Sequence, residues 1–353
     1  MIDLILPRGS DRLRAALDFA LQGIEHRFAS PGDALQNRRL LFALSTDACG
    51  MDEETLRLLR KLRREPNCLQ GSIGVMVVDG ESELYTKQLA QEMTLAASLT
   101  GCTFPGKPLV EATGTLYNQH ILAAQRKLSW KETYFQRVRE LALRLESFTP
   151  PKYQRPKILM LHASEQGRSS TLWLWQLLRT RLEPHCDIQE VSLQNGTIHD
   201  CRGCSYSACL HYAKNGTCFY GGAISETVLP AIRQSNALLF LCPNYNDAVG
   251  ANITALFNRL TSLLLHSDLY DKYLFGLVVS GYSGSDLVAK QLLGAMCLNK
   301  TAMLPPYFCA METANDLEAV QRIPEISEKT DVFAQRILET LIKKDYVFPG
   351  TVI

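Results

Sequence analysis

Three apolar runs in the second half of the chain constrain the fold most. KILMLH (157–162), ALLFLC (237–242) and YLFGLVVS (273–280) are apolar almost throughout. A strand with one wet face alternates polar and apolar residues, whereas a strand apolar on both sides must be covered on both. Between these runs lie segments with helical spacing: SSTLWLWQLLRTRLE (169–183), GGAISETVLPAIRQS (221–235), ANITALFNRLTSLLL (251–265) and SDLVAKQLLGAMCL (285–298). DIQEVSL (187–193) alternates as a strand, TAMLPPYFCAM (301–311) reads as a last strand, and KTDVFAQRILETLIKK (329–344) closes the chain as a helix. Strand–helix alternation with doubly buried strands predicts an α/β architecture, a doubly wound parallel five-stranded sheet.

The first half repeats part of this pattern. FTPPKYQRPK (148–157) carries three prolines after a long amphipathic stretch and reads as an extended linker. It divides the chain into 1–147 and 158–353. Across it, GVMVVDGESELYTKQLAQEM (74–93) aligns with GLVVSGYSGSDLVAKQLLGAM (276–296), with Val77, Val78, Gly80 and Ser82 on Val278, Val279, Gly281 and Ser283. LLFALS (40–45) mirrors LLFLCP (238–243). The halves therefore read as a duplicated unit. About 80 residues separate Ile158 from Leu238, but about 38 separate Ile2 from Leu40. The N-terminal copy is expected to be truncated, without the second strand, its loop and its helix.

Composition limits the function classes. The 353 residues include 37 basic and 36 acidic side chains, a net charge of +1, which argues against a nucleic-acid partner or an anionic membrane surface. No apolar run reaches the ~18–20 residues of a membrane span, and the N-terminus lacks a signal-peptide pattern. Eleven cysteines, an odd number, point to a reducing, cytoplasmic setting rather than a disulfide framework. Seven are scattered among apolar residues and read as small buried side chains. Four crowd into 201–218.

Three loops fall where parallel strands end, the edge at which open α/β sheets bind ligands. HASEQGRSST (162–171) offers backbone N–H groups, the hydroxyls of Ser164, Ser169, Ser170 and Thr171, and Gln166 and Arg168, a set suited to a phosphate monoester. Neither G-x-x-x-x-G-K-[ST] nor G-x-G-x-x-G occurs, so an ATPase loop and a dinucleotide fingerprint are unsupported. CPNYNDAVGANITALFNRL (242–260) places Pro243, Asn244, Tyr245, Asn246 and Asp247 at the next strand end. SGYSGSD (280–286) adds Gly281, Tyr282, Ser283 and Gly284, whose glycines permit close backbone approach. The alternatives, a serine-rich helix cap and ordinary strand-to-helix turns, apply to each loop alone.

These residues resemble the flavodoxin-like NAD(P)H-dependent FMN reductases and their iron–sulfur flavoprotein branch. Ser164, Gly167 and Thr171 follow the family's phosphate loop, with departures at Ala163, Glu165 and Gln166. Pro243, Tyr245, Leu256 and Arg259 follow its third-strand motif, with Cys242 in place of Ser and Asn258 in place of Asp. The resemblance covers about 156–343, and 1–147 weakly. It implies a flavodoxin-like sheet holding FMN, with the phosphate at 164–171 and the ring between 243–248 and 281–286. NAD(P)H would be co-substrate. It also implies a homo-oligomer or, through the duplication, an internal pseudo-dimer.

DCRGCSYSACLHYAKNGTCFYGG (200–222) spaces Cys201, Cys204, Cys209 and Cys218 as C-x2-C-x4-C-x8-C. Four thiolates suit [4Fe–4S] or zinc. The iron–sulfur branch of the family has a compact four-cysteine motif in the corresponding loop, with shorter final spacings. Cluster, zinc and unligated thiols all stay open, with His199 and His211 as alternative ligands. Trp173 and Trp175 read as packing residues, and Tyr212, Phe219 and Tyr220 as a cofactor shield or plain packing. The basic run Arg57, Arg60, Lys61, Arg63 and Arg64 reads as a solvated helix face. No catalytic acid or base is assigned. The expected function is NAD(P)H-dependent reduction of a quinone, flavin, nitro- or azo-compound or redox-protein acceptor. The rivals are an FMN electron carrier without direct NAD(P)H reaction and a flavin-free sensor or scaffold.

Overall fold

The computed structural model describes residues 1–343 other than 31, 166–168, 195, 197 and 214–215. The chain forms two compact units, Met1–Pro150 with Leu304–Pro306, and Pro151–Met303 with Tyr307 onward.

In the first unit, β1 (Ile2–Ile5), α1 (Asp11–Ala20), β2 (His26–Phe28), β3 (Arg39–Thr46), α2 (Glu53–Arg64), β4 (Ile73–Gly80), α3 (Thr86–Ser98), β5 (Leu109–Ala112), α4 (His120–Arg126) and α5 (Trp130–Ser147) follow in order. Its sheet is all parallel, ordered β2-β1-β3-β4-β5. The second unit contains β6 (Lys157–His162), α6 (Ser170–Leu182), β7 (Asp187–Ser192), α7 (Tyr206–Tyr212), α8 (Leu229–Gln234), β8 (Ala237–Pro243), α9 (Ala251–Arg259), α10 (Thr261–Leu264), β9 (Tyr273–Ser280), α11 (Ser285–Leu293), β10 (Cys309–Thr313), α12 (Leu317–Gln321) and α13 (Ile326–Leu341). Its order, β7-β6-β8-β9-β10, is the same pattern, again all parallel.

The apolar runs became the central strands. β8 is buried from Ala237 to Cys242 and β9 along its whole length, because helices cover both faces. The helices start where the sequence caps them. Ser10 and Ser169 accept from the N–H groups of Leu13 and Leu172, and Ser129 with Glu132 forms a reciprocal capping box on α5. On α2, Arg57 pairs with Glu53 and Glu54, and Arg63 with Glu92, so its basic run is a solvated, ion-paired face.

Three expectations need correction. The first copy has not lost its second strand: β2 pairs with β1 at His26–Phe28. It is a three-residue edge strand with every residue exposed, so it carries no apolar signature. What the first copy lacks is a helix and a long loop between this strand and β3. The last strand lies at 309–313 rather than 301–311, because Pro305 and Pro306 have no N–H to offer a ladder. The sequence alignment of 74–93 is one residue out of step with the sheets. Ile73 bridges Thr103 as Tyr273 bridges Met303, and Met76 pairs with Leu109 as Gly276 pairs with Cys309. The register therefore places Asp79 on Val279 and Gly80 on Ser280. At β3 the register agrees with the alignment, placing Ser45 on Pro243 and Thr46 on Asn244.

Candidate functional site

At the carboxyl edge of the second sheet the loops after β6, β8, β9 and β10 surround a cavity of about 600 Å³. The first wall is the start of α6, with Ser169, Ser170 and Thr171. Pro243 to Asp247 form the second, and Gly281, Tyr282 and Ser283 the third. Eleven of the fifteen expected cofactor residues thus line one cavity. Ser164 stands behind it, buried, with its hydroxyl 3.4 Å from that of Thr171. Gly284 lies at the start of α11, just outside the lining. Gln166 and Arg168 lie outside the described residues.

The hydroxyls at one end are already connected. Ser169 Oγ lies 2.7 Å from Thr171 Oγ1 and accepts from Leu172 N–H, at the N-terminus of the thirteen-residue α6. Dipole, backbone N–H groups and hydroxyls there converge on a place suited to a phosphate. Behind them His162 is buried at the end of β6, its Nδ1 3.2 Å from Ser164 O. Burial holds this imidazole below its ordinary pKa, keeping it neutral.

The opposite walls are latched by Asn244. Its Nδ2 shares two N–H donors among Asp247 Oδ1 at 3.1 Å, Ser280 Oγ at 3.0 Å and Ser283 O at 3.1 Å, joining the loops after β8 and β9. Its Oδ1 is buried and has no protein partner. Asn246 and Asp247 both have positive φ within the Tyr245–Ala248 turn, the pattern of a type I′ turn, which Asn and Asp tolerate best. Gln291 supports the turn from α11, donating to Asp247 O and accepting from Val249 N–H. Gly284 has φ +90°, and a Cβ there would collide with the Asp247 carboxylate, so the latch requires glycine at this position. Tyr245 and Tyr282 line the cavity yet are 63% and 83% exposed, leaving two aromatic faces free at its mouth. Cys242, which precedes Pro243, is fully buried, and burial pushes its thiol up.

The sequence missed the fourth wall, formed by Val279 with Ala314, Asn315 and Asp316. The signal was the Asn-Asp pair before α12: Asp316 caps that helix, accepting from Ala319 N–H at 2.7 Å. Misplacing the last strand hid it.

The cysteine loop is fastened at its two ends by one buried cation. Arg259, 4% exposed, donates to His199 O, Gly221 O and Ser225 Oγ. Beyond this neck Cys201 and Cys204 are exposed, Cys209 and Cys218 half-buried, and Cys204 Sγ lies 3.9 Å from the Tyr220 hydroxyl. Among the described residues no three His, Cys, Asp or Glu side chains are placed to hold one metal ion. The thiols as placed form no ligand set among the described residues. Tyr212, Phe219 and Tyr220 pack on one another and stay exposed. Trp175 is fully buried, its Nε1 donating to Glu190.

Residues 156–316 match the model of the NADPH-dependent FMN reductases. This segment is similar to that family. The match indicates an oxidoreductase domain, and it spans every residue that lines the cavity. No curated protein sequence matches the chain. Among solved structures, RosB with a bound 8-demethyl-8-formylriboflavin-5'-phosphate intermediate is 14% identical, covering 52% of this chain and 80% of its own, with a TM-score of 0.41. The NAD(P)H:quinone oxidoreductase of Methanothermobacter marburgensis is 15% identical over 52% of this chain and 94% of its own, TM-score 0.36. An azoreductase of Bacillus anthracis is 14% identical over 52% and 98%, TM-score 0.36. No helix among the described residues is long and apolar enough to cross a membrane.

The cavity of this segment fits the flavin that the matched family implies. It has hydroxyls and a helix N-terminus at one end, a buried carbonyl oxygen of Asn244 without a partner, and aromatic rings at the mouth. A cavity of this size and mixed lining is of the kind that holds a cofactor.

Proposed function

We propose that the second unit binds FMN in the four-loop cavity and oxidises NAD(P)H, passing two electrons to a quinone, a free flavin or a similar aromatic acceptor. The observation that carries this reading is the convergence of the loops after β6, β8 and β9 on one cavity inside the segment matched to the reductase family. FMN, when bound, supplies reversible acceptance of electrons at its ring. The chain's own residues do the rest. Ser169, Thr171 and the backbone at the start of α6 bind the phosphate. Asn244 holds two loops at a fixed separation through Asp247, Ser280 and Ser283. Tyr245 and Tyr282 offer apolar faces that exclude water from a flat ligand.

The test is to load the full chain with FMN without oxygen and add NADPH or NADH. Rapid loss of the yellow absorbance, returning on addition of a quinone, is the expected result. Flavin that binds but resists excess NAD(P)H would leave an electron carrier. A chain that takes up no FMN would overturn the flavin reading altogether.

A further inference from the structure

The first unit has the same strand order as the second and the same serine-capped helix after its first strand, yet its carboxyl edge is built differently. Sheet register and helix caps set Ser10 on Ser169, Arg12 on Thr171, Asp79 on Val279 and Gly114 on Ala314. In the second unit these positions are cavity walls. In the first they are bonded to one another. Arg12 Nε and Nη2 reach Asp79 at 2.9 and 3.1 Å, Nη1 donates to Gly114 O at 2.9 Å, and Nη2 to Gly80 O at 3.0 Å. Ser10 Oγ donates to Asp79 Oδ1 at 3.0 Å while capping α1.

Every donor of the guanidinium that faces the sheet edge is thus taken, and Asp79 is 2% exposed. The loops after β4 and β5 are also joined, by Gly114 N–H to Ser82 O and by Thr115 N–H to Glu83 Oε1 at 2.6 Å. Tyr134 of α5 is fully buried, its phenol pushed up first by burial and then by the Asp79 charge. A carboxylate of the chain itself stands where a ligand's anion would meet the helix N-terminus.

Resting on the flavin reading of the second unit, we infer that the first unit is a flavin-free copy whose cofactor cleft is closed by the Arg12–Asp79 ion pair, so that the chain binds one FMN. A pair of hydroxyl and apolar walls in one copy, Thr171 and Val279, has become a cation and an anion in the other. Neither change is favourable alone: the carboxylate without the arginine is a buried unpaired charge, and the half-buried arginine without the carboxylate loses its counter-ion. Both together fill the cleft, and the carboxylate and guanidinium satisfy one another.

Two measurements test this. FMN titration of the wild-type chain is expected to saturate at one equivalent. Transplanting the closure with Thr171→Arg/Val279→Asp should bring uptake to none in a folded chain. Two equivalents bound by wild type, or one retained by the transplant, would overturn the inference. Separately, and without flavin, Asp79→Val leaves the guanidinium stranded, whereas Arg12→Thr/Asp79→Val carries the second unit's residues. The single variant should melt about 5 °C or more below the double one. Equal melting would overturn the ion-pair closure. A wild type that takes up no FMN sinks the flavin reading, while the melting comparison still decides whether the pair closes the first unit.

Discussion

The carboxyl edges of the two units are built on one strand order, one register and one type of serine-capped helix. In the second unit the strand ends carry hydroxyls, a proline-led turn and a glycine latch, and a cavity of about 600 Å³ results. In the first they carry Arg12 and Asp79, and the same space is crossed by four hydrogen bonds from one side chain. The scaffold makes this edge available, and a few side chains decide whether it is a site. The difference also shows what an unused site needs. An empty polar cleft would leave helix N–H groups and strand-end carbonyls unsatisfied, so its loss calls for a replacement set of partners rather than simple deletion.

The comparison can be broken at matched positions. The largest effect is expected from Arg12→Met, which leaves Asp79 buried without its cation and should cost about 3–5 kcal/mol in urea unfolding. Thr171→Val at the matched position of the second unit removes only a hydroxyl and should cost ~1 kcal/mol. Similar costs at both would break the distinction. Next in size is Gly284→Val. It forces a β-branched residue to φ +90° against Asp247 and should weaken FMN binding about 10–100-fold by flavin fluorescence. The residue before α3 is Tyr85, which already holds φ +75°, and Tyr85→Gly should leave FMN binding unchanged. Asn244→Ala unlatches the loops after β8 and β9 and should raise the FMN Kd about 10-fold. Thr46→Ala, matched to it by register, should not alter the Kd.

The smallest effect concerns His162. Its folded pKa lies below the ordinary 6.5, so the unfolded chain binds more protons as pH falls past that value. Stability is then fully present above about pH 6.5 and declines as pH drops toward the folded pKa. His162→Leu should flatten that part of the slope, measured as Tm between pH 5.5 and 7.5. Leu6 occupies the matched position in the first unit and contributes no such slope.

Much of this was legible in the residues. The runs at 157–162, 237–242 and 273–280 announced buried parallel strands, and eleven residues picked from three loops came together in one cavity. What escaped lacked a local signature. β2 is three exposed residues, recognisable only by its pairing with β1. Ala314, Asn315 and Asp316 joined the cavity through a strand whose place depended on Pro305 and Pro306 ending one segment before the next could start. The four cysteines had a suggestive spacing, but spacing along the chain does not aim thiols at a common point.

PRGSD at 7–11 precedes α1, and its serine caps that helix as Ser169 caps α6. Its arginine neighbour tells the opposite story only once Asp79, 67 residues away, is folded against it. By itself the sequence determined the layered α/β architecture and its duplication, because burial of both faces of a strand is written in each run of residues. Which copy keeps an open cleft was decided only in the tertiary structure, because filling or leaving that space depends on side chains that distant strands and helices bring within 3 Å of one another.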